Sequence, residues 1–146
     1  MTSASGGSAI EVLLVEDDPD DAALTMHALK RAKLRNRVHL AVTGLDALAF
    51  LRREGRFTDA PRPDLILLDL NLPAMDGREV LAHIKADDDL RTIPVVVVTG
   101  SPAQEDVLRS YRLHANAYVT KPIVAREFLE AVSSIERFWL QIVRVP

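Results

Sequence analysis

The chain's 146 residues, 48% of them hydrophobic and 27% charged, suffice for one compact domain with a sizeable core and leave little room for a second catalytic or DNA-binding unit. A formal net charge of −3 provides no overall field to recruit nucleic acid or an anionic membrane, and no apolar stretch approaches the roughly 18 residues that span a bilayer. The absence of cysteine excludes disulfides, thiol catalysis and thiolate metal sites.

Residues 1–9 are small and polar, without the basic and apolar regions of a signal peptide, and are expected to form a disordered leader to a soluble cytoplasmic protein. A first strand is predicted over 11–15. Asp18 can N-cap the helix that follows, ahead of Pro19 at its first position. That helix is predicted over 20–32, with Asp20 and Asp21 in the first turn as partners of the helix dipole. The basic cluster Lys30, Arg31, Lys33, Arg35 and Arg37 reads as its cationic C-terminal end. A second strand over 37–42 leads to Thr43 and Asp46, which resemble a capping box for a helix over 45–53, and Gly55 is placed to end that helix. After a polar, proline-bearing loop over 56–63, further strands are predicted over 64–69, 94–99 and 116–120. They alternate with helices over 78–86, 103–113 and 125–142. Three of the strands are continuous apolar runs, as expected where a parallel sheet is covered on both faces. The alternation predicts an α/β fold, a doubly wound parallel sheet of five strands with right-handed crossovers and helices on both faces.

Ligands of open α/β sheets bind outside the carboxyl ends of the strands. The residues there are Glu16 and Asp17, Asp69, Thr99-Gly100-Ser101 and Thr120-Lys121-Pro122. Asp69 ends the apolar run Leu65-Ile66-Leu67-Leu68, where a carboxylate costs several kcal/mol unless compensated. If the first and third strands are neighbours, about 4.8 Å apart, their terminal acids converge. Two charges about 5 Å apart repel by roughly 3 kcal/mol at an effective dielectric of 20. Such a site needs a cation, shared protons, or both.

A dinucleotide site is excluded, because Glu16-Asp17-Asp18-Pro19 stands where a glycine-rich turn would face phosphate, and no Walker lysine motif is present. The histidines His27, His39, His83 and His114 are scattered without ligand spacing. Hard oxygen donors alone suit Mg²⁺. With Mg²⁺ on Asp17 and Asp69, a phosphoryl group becomes bindable, Lys121 neutralising one oxygen and Thr99 hydrogen-bonding another. A carboxylate so placed can itself become phosphorylated.

Glu16-Asp17, Asp69, Thr99 and Lys121-Pro122, in this order on an alternating β/α chain, resemble the receiver domain of bacterial response regulators. The turn Leu70-Asn71-Leu72-Pro73-Ala74-Met75-Asp76-Gly77 and the segment Ala117-Tyr118-Val119-Thr120-Lys121-Pro122 are similar to further family motifs. Taken singly, Thr99 could finish a strand, Lys121 be a solvated loop lysine and Tyr118 a core-edge aromatic; their joint order carries the resemblance. It implies a receiver domain over 10–137 with the flavodoxin-like strand order 2-1-3-4-5. It also implies that Asp69 accepts phosphate from a sensor histidine kinase or a histidine phosphotransfer protein. Asp17 and the backbone carbonyl of Asn71 would ligate Mg²⁺, with Glu16 reaching it mainly through water. Thr99 and Lys121 would contact the phosphoryl group, Tyr118 would shift its ring as Thr99 moves, and the Lys121–Pro122 bond would be cis. Glu16 stands where aspartate is commoner, and its longer arm could alter the metal geometry. Gly100 would leave the site open, and Asn71 and Ser101 occupy positions that tune hydrolysis. The protein implied is a self-phosphorylating and self-dephosphorylating switch without an output domain, not a turnover enzyme.

Phe128, Val132, Ile135, Trp139 and Ile142 form one helical stripe, and Phe138, Leu140, Val143 and Val145 make the tail over 138–146 apolar on several sides. Either the tail folds back onto the core or it is a partner surface. The expectation is a homodimer with contacts from Phe138, Trp139, Ile142 and Val143. The run Val15-Glu16-Asp17-Asp18-Pro19-Asp20-Asp21 and Phe138-Trp139 are also similar to regulators paired with bacterial phytochromes, which would make the kinase a phytochrome. The alternative function is a small Mg²⁺-dependent phosphatase or phosphotransferase acting on metabolites through an aspartyl phosphate. Such enzymes usually carry an acid two residues after the nucleophile, where this chain has Asn71.

Overall fold

The computed structural model describes residues 9–32, 34–72, 75–101, 103–104 and 115–135. Five strands, β1 (Ile10–Val15), β2 (Asn36–Ala41), β3 (Leu65–Asp69), β4 (Val95–Thr99) and β5 (Ala117–Thr120), form one sheet in the order β2-β1-β3-β4-β5. All four pairings are parallel. Among the described residues the helices are α1 (Pro19–Arg31), α2 (Gly44–Arg52), α3 (Gly77–Ala86) and α4 (Ala125–Ser133). The α/β class and the flavodoxin-like strand order expected from the sequence are borne out. No helix of the described residues is long and apolar enough to cross a membrane.

Side chains alternate between the two faces of a strand, and the core divides accordingly. Leu13, Val15, Ile66, Leu68, Val95 and Val97 pack with residues of α2 and α3. Their neighbours Val12, Leu14, Leu65, Leu67, Val96 and Val98 pack on the opposite side with residues of α1 and α4. Central strands buried on both faces explain why the sequence reads there as unbroken apolar runs. The chain leaves β1 for β2 and returns across β1 to β3. The crevice at the carboxyl ends of β1 and β3 is therefore the switch point at which such sheets bind ligands.

Helix entry follows the sequence. The Asp18 carboxylate accepts from the backbone N–H of Asp20 (2.8 Å) and of Asp21 (3.1 Å), with Pro19 at the first helical position. Thr43 Oγ1 accepts from the Asp46 N–H at 3.0 Å, while the Asp46 carboxylate takes Arg56 at 3.1 Å.

Helix exit differs from expectation twice. Gly55 does not end α2. The left-handed residue is Arg53 (φ 55°), and the N–H groups of Arg53 and Glu54 close onto the carbonyls of Phe50 and Ala49. The buried stripe of α2 ends at Leu51, so the cap falls two residues before the glycine. Gly55, also left-handed at φ 58°, instead starts a 3-10 turn, Gly55–Phe57. That turn inserts Phe57 against Phe50 (ring centroids 5.5 Å apart) in what the sequence suggested was a polar loop. The last helix was expected to run to residue 142, yet α4 stops at Ser133. Ser134 Oγ donates to the Ala131 carbonyl at 2.6 Å, and the Ile135 N–H turns to Val132. Serine hydroxyls that compete for helix carbonyls weaken the next turn. The expected helix over 103–113 beyond residue 104, and the tail with Phe138, Trp139, Ile142 and Val143, lie outside the described residues.

An L-residue in the left-handed region costs roughly 1–2 kcal/mol that glycine avoids, against about 0.5–1 kcal/mol of extra chain entropy for glycine. Arg53→Gly should therefore stabilise the protein by about 0.5–1 kcal/mol, seen as a higher urea midpoint at unchanged slope. A lower midpoint would mean that the Arg53 side chain outweighs its backbone strain.

Candidate functional site

The sheet delivers the acids. Val15 pairs with Leu68, and the next residue of each strand path is Glu16 on one side and Asp69 on the other. Glu16, Asp69 and Thr99 are 3%, 2% and 1% exposed, so the edge of an apolar sheet ends in buried polar groups. The Glu16 N–H is tied to the Ala41 carbonyl (3.0 Å), and Glu16 Oε2 accepts from the Asp18 N–H (3.2 Å). Asp69 Oδ1 accepts from the Asn71 N–H at 2.9 Å. Behind Asp69, α3 begins almost in contact with the β3 backbone. A Cβ on Gly77 would sit 2.5 Å from both the Asp69 carbonyl oxygen and Leu70 Cα, so only glycine allows this approach.

Lys121 closes the site from β5, where its N–H donates to the Thr99 carbonyl (2.8 Å) and its peptide bond to Pro122 is cis. Its Nζ lies 2.8 Å from each of Glu16 Oε1, Asp21 Oδ2 and Asp69 Oδ2. An ammonium has three N–H donors, and this one spends all three on carboxylates. Burial pulls the ammonium down, but Asp21, Asp69 and Glu16 outweigh it and hold the lysine well above its ordinary range. Burial also raises Glu16, to about 7; Lys121 opposes that rise and the neighbouring Asp69 adds to it.

Carboxylate oxygens of Glu16, Asp17 and Asp69 all lie within 4.8 Å of one another, close enough to share one metal ion. Oxygen-only donors suit a hard divalent cation. The repulsion expected from the sequence is thus met by a built-in cation, with a second cation position available among the acids.

The remaining candidates surround this centre. Thr99 Oγ1 faces the carbonyls of Ser101 (3.3 Å) and Val119 (3.4 Å), not Asp69. The Gly100 N–H donates to Gln104 Oε1 at 2.7 Å, and Ser101 Oγ accepts from the Gln104 N–H at 3.1 Å, so both belong to the turn after β4. Tyr118, half-buried on β5, packs against the core on the α2–α3 side. Two residues of the site were missed or undervalued from sequence. Asp21 reads as a dipole partner of α1 yet reaches Lys121, one hundred residues later. Only the direction of α1's first turn, rising from the same edge as Glu16, could have signalled this. Gly77 carries no chemical signal, only the neighbouring N-cap, Asp76, which accepts from the Arg78 N–H.

Comparison with known proteins adds an independent line. The sequence profile of the response regulator receiver domain matches residues 12–133. The response regulator Rcp1 of Synechocystis sp. is 47% identical over 135 residues, covering 92% of each chain. The solved structure of the bacteriophytochrome response regulator AtBRR superposes with a TM-score of 0.84 at 42% identity, over 90% of this chain and 96% of that one. The phosphorylated cyanobacterial phytochrome response regulator RcpA does so with a TM-score of 0.73 at 45% identity, over 95% and 99%.

The raised Glu16 fixes a sign for pH dependence. Below its ordinary value of 4.5 both folded and unfolded chains hold the proton. Between 4.5 and about 7 only the folded chain does, so this stabilisation declines as pH rises and is gone above about 7. Glu16→Gln carries no such titration. In metal-free protein the stability advantage of wild type over Glu16→Gln should fall by at most about 3 kcal/mol across that window, measured by urea unfolding. Parallel pH profiles for the two proteins would contradict a raised Glu16.

Proposed function

Because the chain belongs to the response regulator receiver domain family of two-component systems, we propose that its acidic crevice is a phosphorylation site with Asp69 as the phosphoacceptor. The observation that carries this reading is Asp69 itself: 2% exposed at the end of β3, with Oδ2 on the Lys121 ammonium and Glu16 and Asp17 within metal-sharing distance. The donor is a phosphohistidine of a sensor kinase or a phosphotransfer protein. The names of the two solved relatives AtBRR and RcpA support a phytochrome-type kinase.

In the transfer, an Asp69 oxygen attacks phosphorus and a new O–P bond forms as the donor's P–N bond breaks. The electron pair leaves with the imidazole nitrogen, which takes up a proton. Asp17, Asp69 and the Asn71 carbonyl would hold Mg²⁺, with Glu16 mainly through water. The ion would supply charge neutralisation for the phosphoryl oxygens. Lys121 neutralises a further oxygen. Thr99, whose hydroxyl rests on two backbone carbonyls, reaches the phosphoryl group by rotating inward, and Tyr118 on the adjoining strand follows. Gly100 keeps the approach open, and Asn71 and Ser101 occupy positions that tune the hydrolysis rate. The result is a switch whose output is altered partner binding, not metabolite turnover. Nothing at the site favours a metabolite phosphatase, since the residue two positions after Asp69 is Asn71, whose N–H serves Asp69 instead of an acid serving a leaving group.

The receiver would occupy 10–137, and the apolar tail over 138–146 would join two copies through Phe138, Trp139, Ile142 and Val143. Light scattering at tens of micromolar should give twice the chain mass, dropping to a single chain mass for Trp139→Ala combined with Ile142→Ala. A wild-type monomer sinks the dimer.

The phosphorylation itself is read by intact mass. Incubated with Mg²⁺ and a small-molecule phosphodonor, wild type should gain one phosphoryl adduct and Asp69→Asn none. No adduct on wild type, or equal adducts on both, would falsify the assignment.

A further inference from the structure

We propose that Asp21 is a positioning residue for phosphoryl transfer, holding Lys121 at the site while the other acids serve the metal; this rests on Asp69 being the phosphoacceptor. Three carboxylates share the ammonium equally at 2.8 Å. Two of them, Glu16 and Asp69, belong to the group that can hold a metal ion, whose third member is Asp17. Asp21 does not. A divalent cation taken up by that group competes for the same oxygens and repels the ammonium. Of the three anchors of Lys121, Asp21 alone keeps its carboxylate wholly for the lysine.

Its placement suits that task. Asp21 stands in the first turn of α1, its backbone N–H fixed by the Asp18 cap at 3.1 Å, so its reach to Lys121 is set by a helix and not by a loop. It is also the most exposed of the three, with a side chain 37% accessible against 2% and 3% for Glu16 and Asp69. An accessible carboxylate holds an ammonium without burying it. A cleft of about 180 Å³ lined by Asp21, Leu24, Thr25, Lys121, Pro122 and Ile123 opens beside this contact, on the α1 side of the lysine. Asp21 makes and breaks no covalent bond; it acts through Lys121.

The test is a double-mutant cycle on the rate at which Asp69 is phosphorylated by a small-molecule phosphodonor at saturating Mg²⁺. Saturation keeps changes in metal affinity out of the rate. Asp21→Asn should slow wild type by about threefold to tenfold, the scale of one ordinary hydrogen bond or partly exposed ion pair. In a Lys121→Ala background, already slow, Asp21→Asn should change the residual rate by less than about 1.5-fold, because residues acting through one another are not additive. Equal losses in both backgrounds, or no loss in wild type, overturn the role of Asp21 and leave the phosphorylation reading standing. A wild type that takes no phosphoryl group, or an Asp69→Asn protein that takes one as readily, refutes that reading and this proposal with it.

Discussion

One ammonium among three carboxylates is the interaction on which the rest of this structure depends. The sheet ends in Glu16 and Asp69, both essentially buried, and buried unpaired charges are not tolerated. Lys121 compensates them from the far side of the sheet, and it does so with all of its donors. The neutralisation is incomplete by count, since one ammonium faces three carboxylates and Asp17 adds a fourth acid at the same place. Burial therefore pushes Glu16 to about 7, where it can carry a proton at little cost. The lysine and a raised Glu16 offset the charge at this edge, and a divalent cation is a further way to balance the acids.

That requirement explains features that would otherwise look unrelated. β1 and β3 must be adjacent, which the β2-β1-β3-β4-β5 order provides. β4 and β5 must follow on the same side so that Lys121, just past the Thr99–Thr120 pair, returns to the crevice. The apolar layers on both faces hold these strand ends in register, and the approach of α3 over Gly77 closes the crevice behind Asp69. The cap at Asp18 aims the first turn of α1, and with it Asp21, at the lysine.

What the sequence made legible was whatever rests on periodicity and short-range chemistry. Strands of Val, Leu and Ile ending in acids, and Asp18 before Pro19, set the sheet, its class and the Glu16–Asp17–Asp69 convergence. Tertiary detail was less visible. The capping glycine was misplaced because a helix ends where its buried face ends, at Leu51, and Arg53 bears the strained backbone there. The end of α4 was hidden because Ser133 and Ser134 are neutral in composition but bind helix carbonyls in three dimensions. Asp21 was hidden for the opposite reason: its local explanation, a dipole partner in the first turn, was already sufficient. A residue can satisfy its own helix and still serve another strand.

The saturation of Lys121 also determines how a change at Asp69 travels. A phosphoryl group there brings new acceptor oxygens and negative charge. The ammonium has no spare donor, so it can engage them only by releasing a carboxylate it already holds. Glu16, which burial raises to about 7, can take up a proton in place of the lysine; Asp21 is more exposed and lies outside the metal-capable group. Lys121 directly follows β5, the strand that carries Tyr118, and its N–H is hydrogen-bonded to the Thr99 carbonyl. The lysine that balances the crevice is thus bonded directly to the end of β4, and any path from a charge at Asp69 to the β4–β5 side of the sheet would run through residues already in contact.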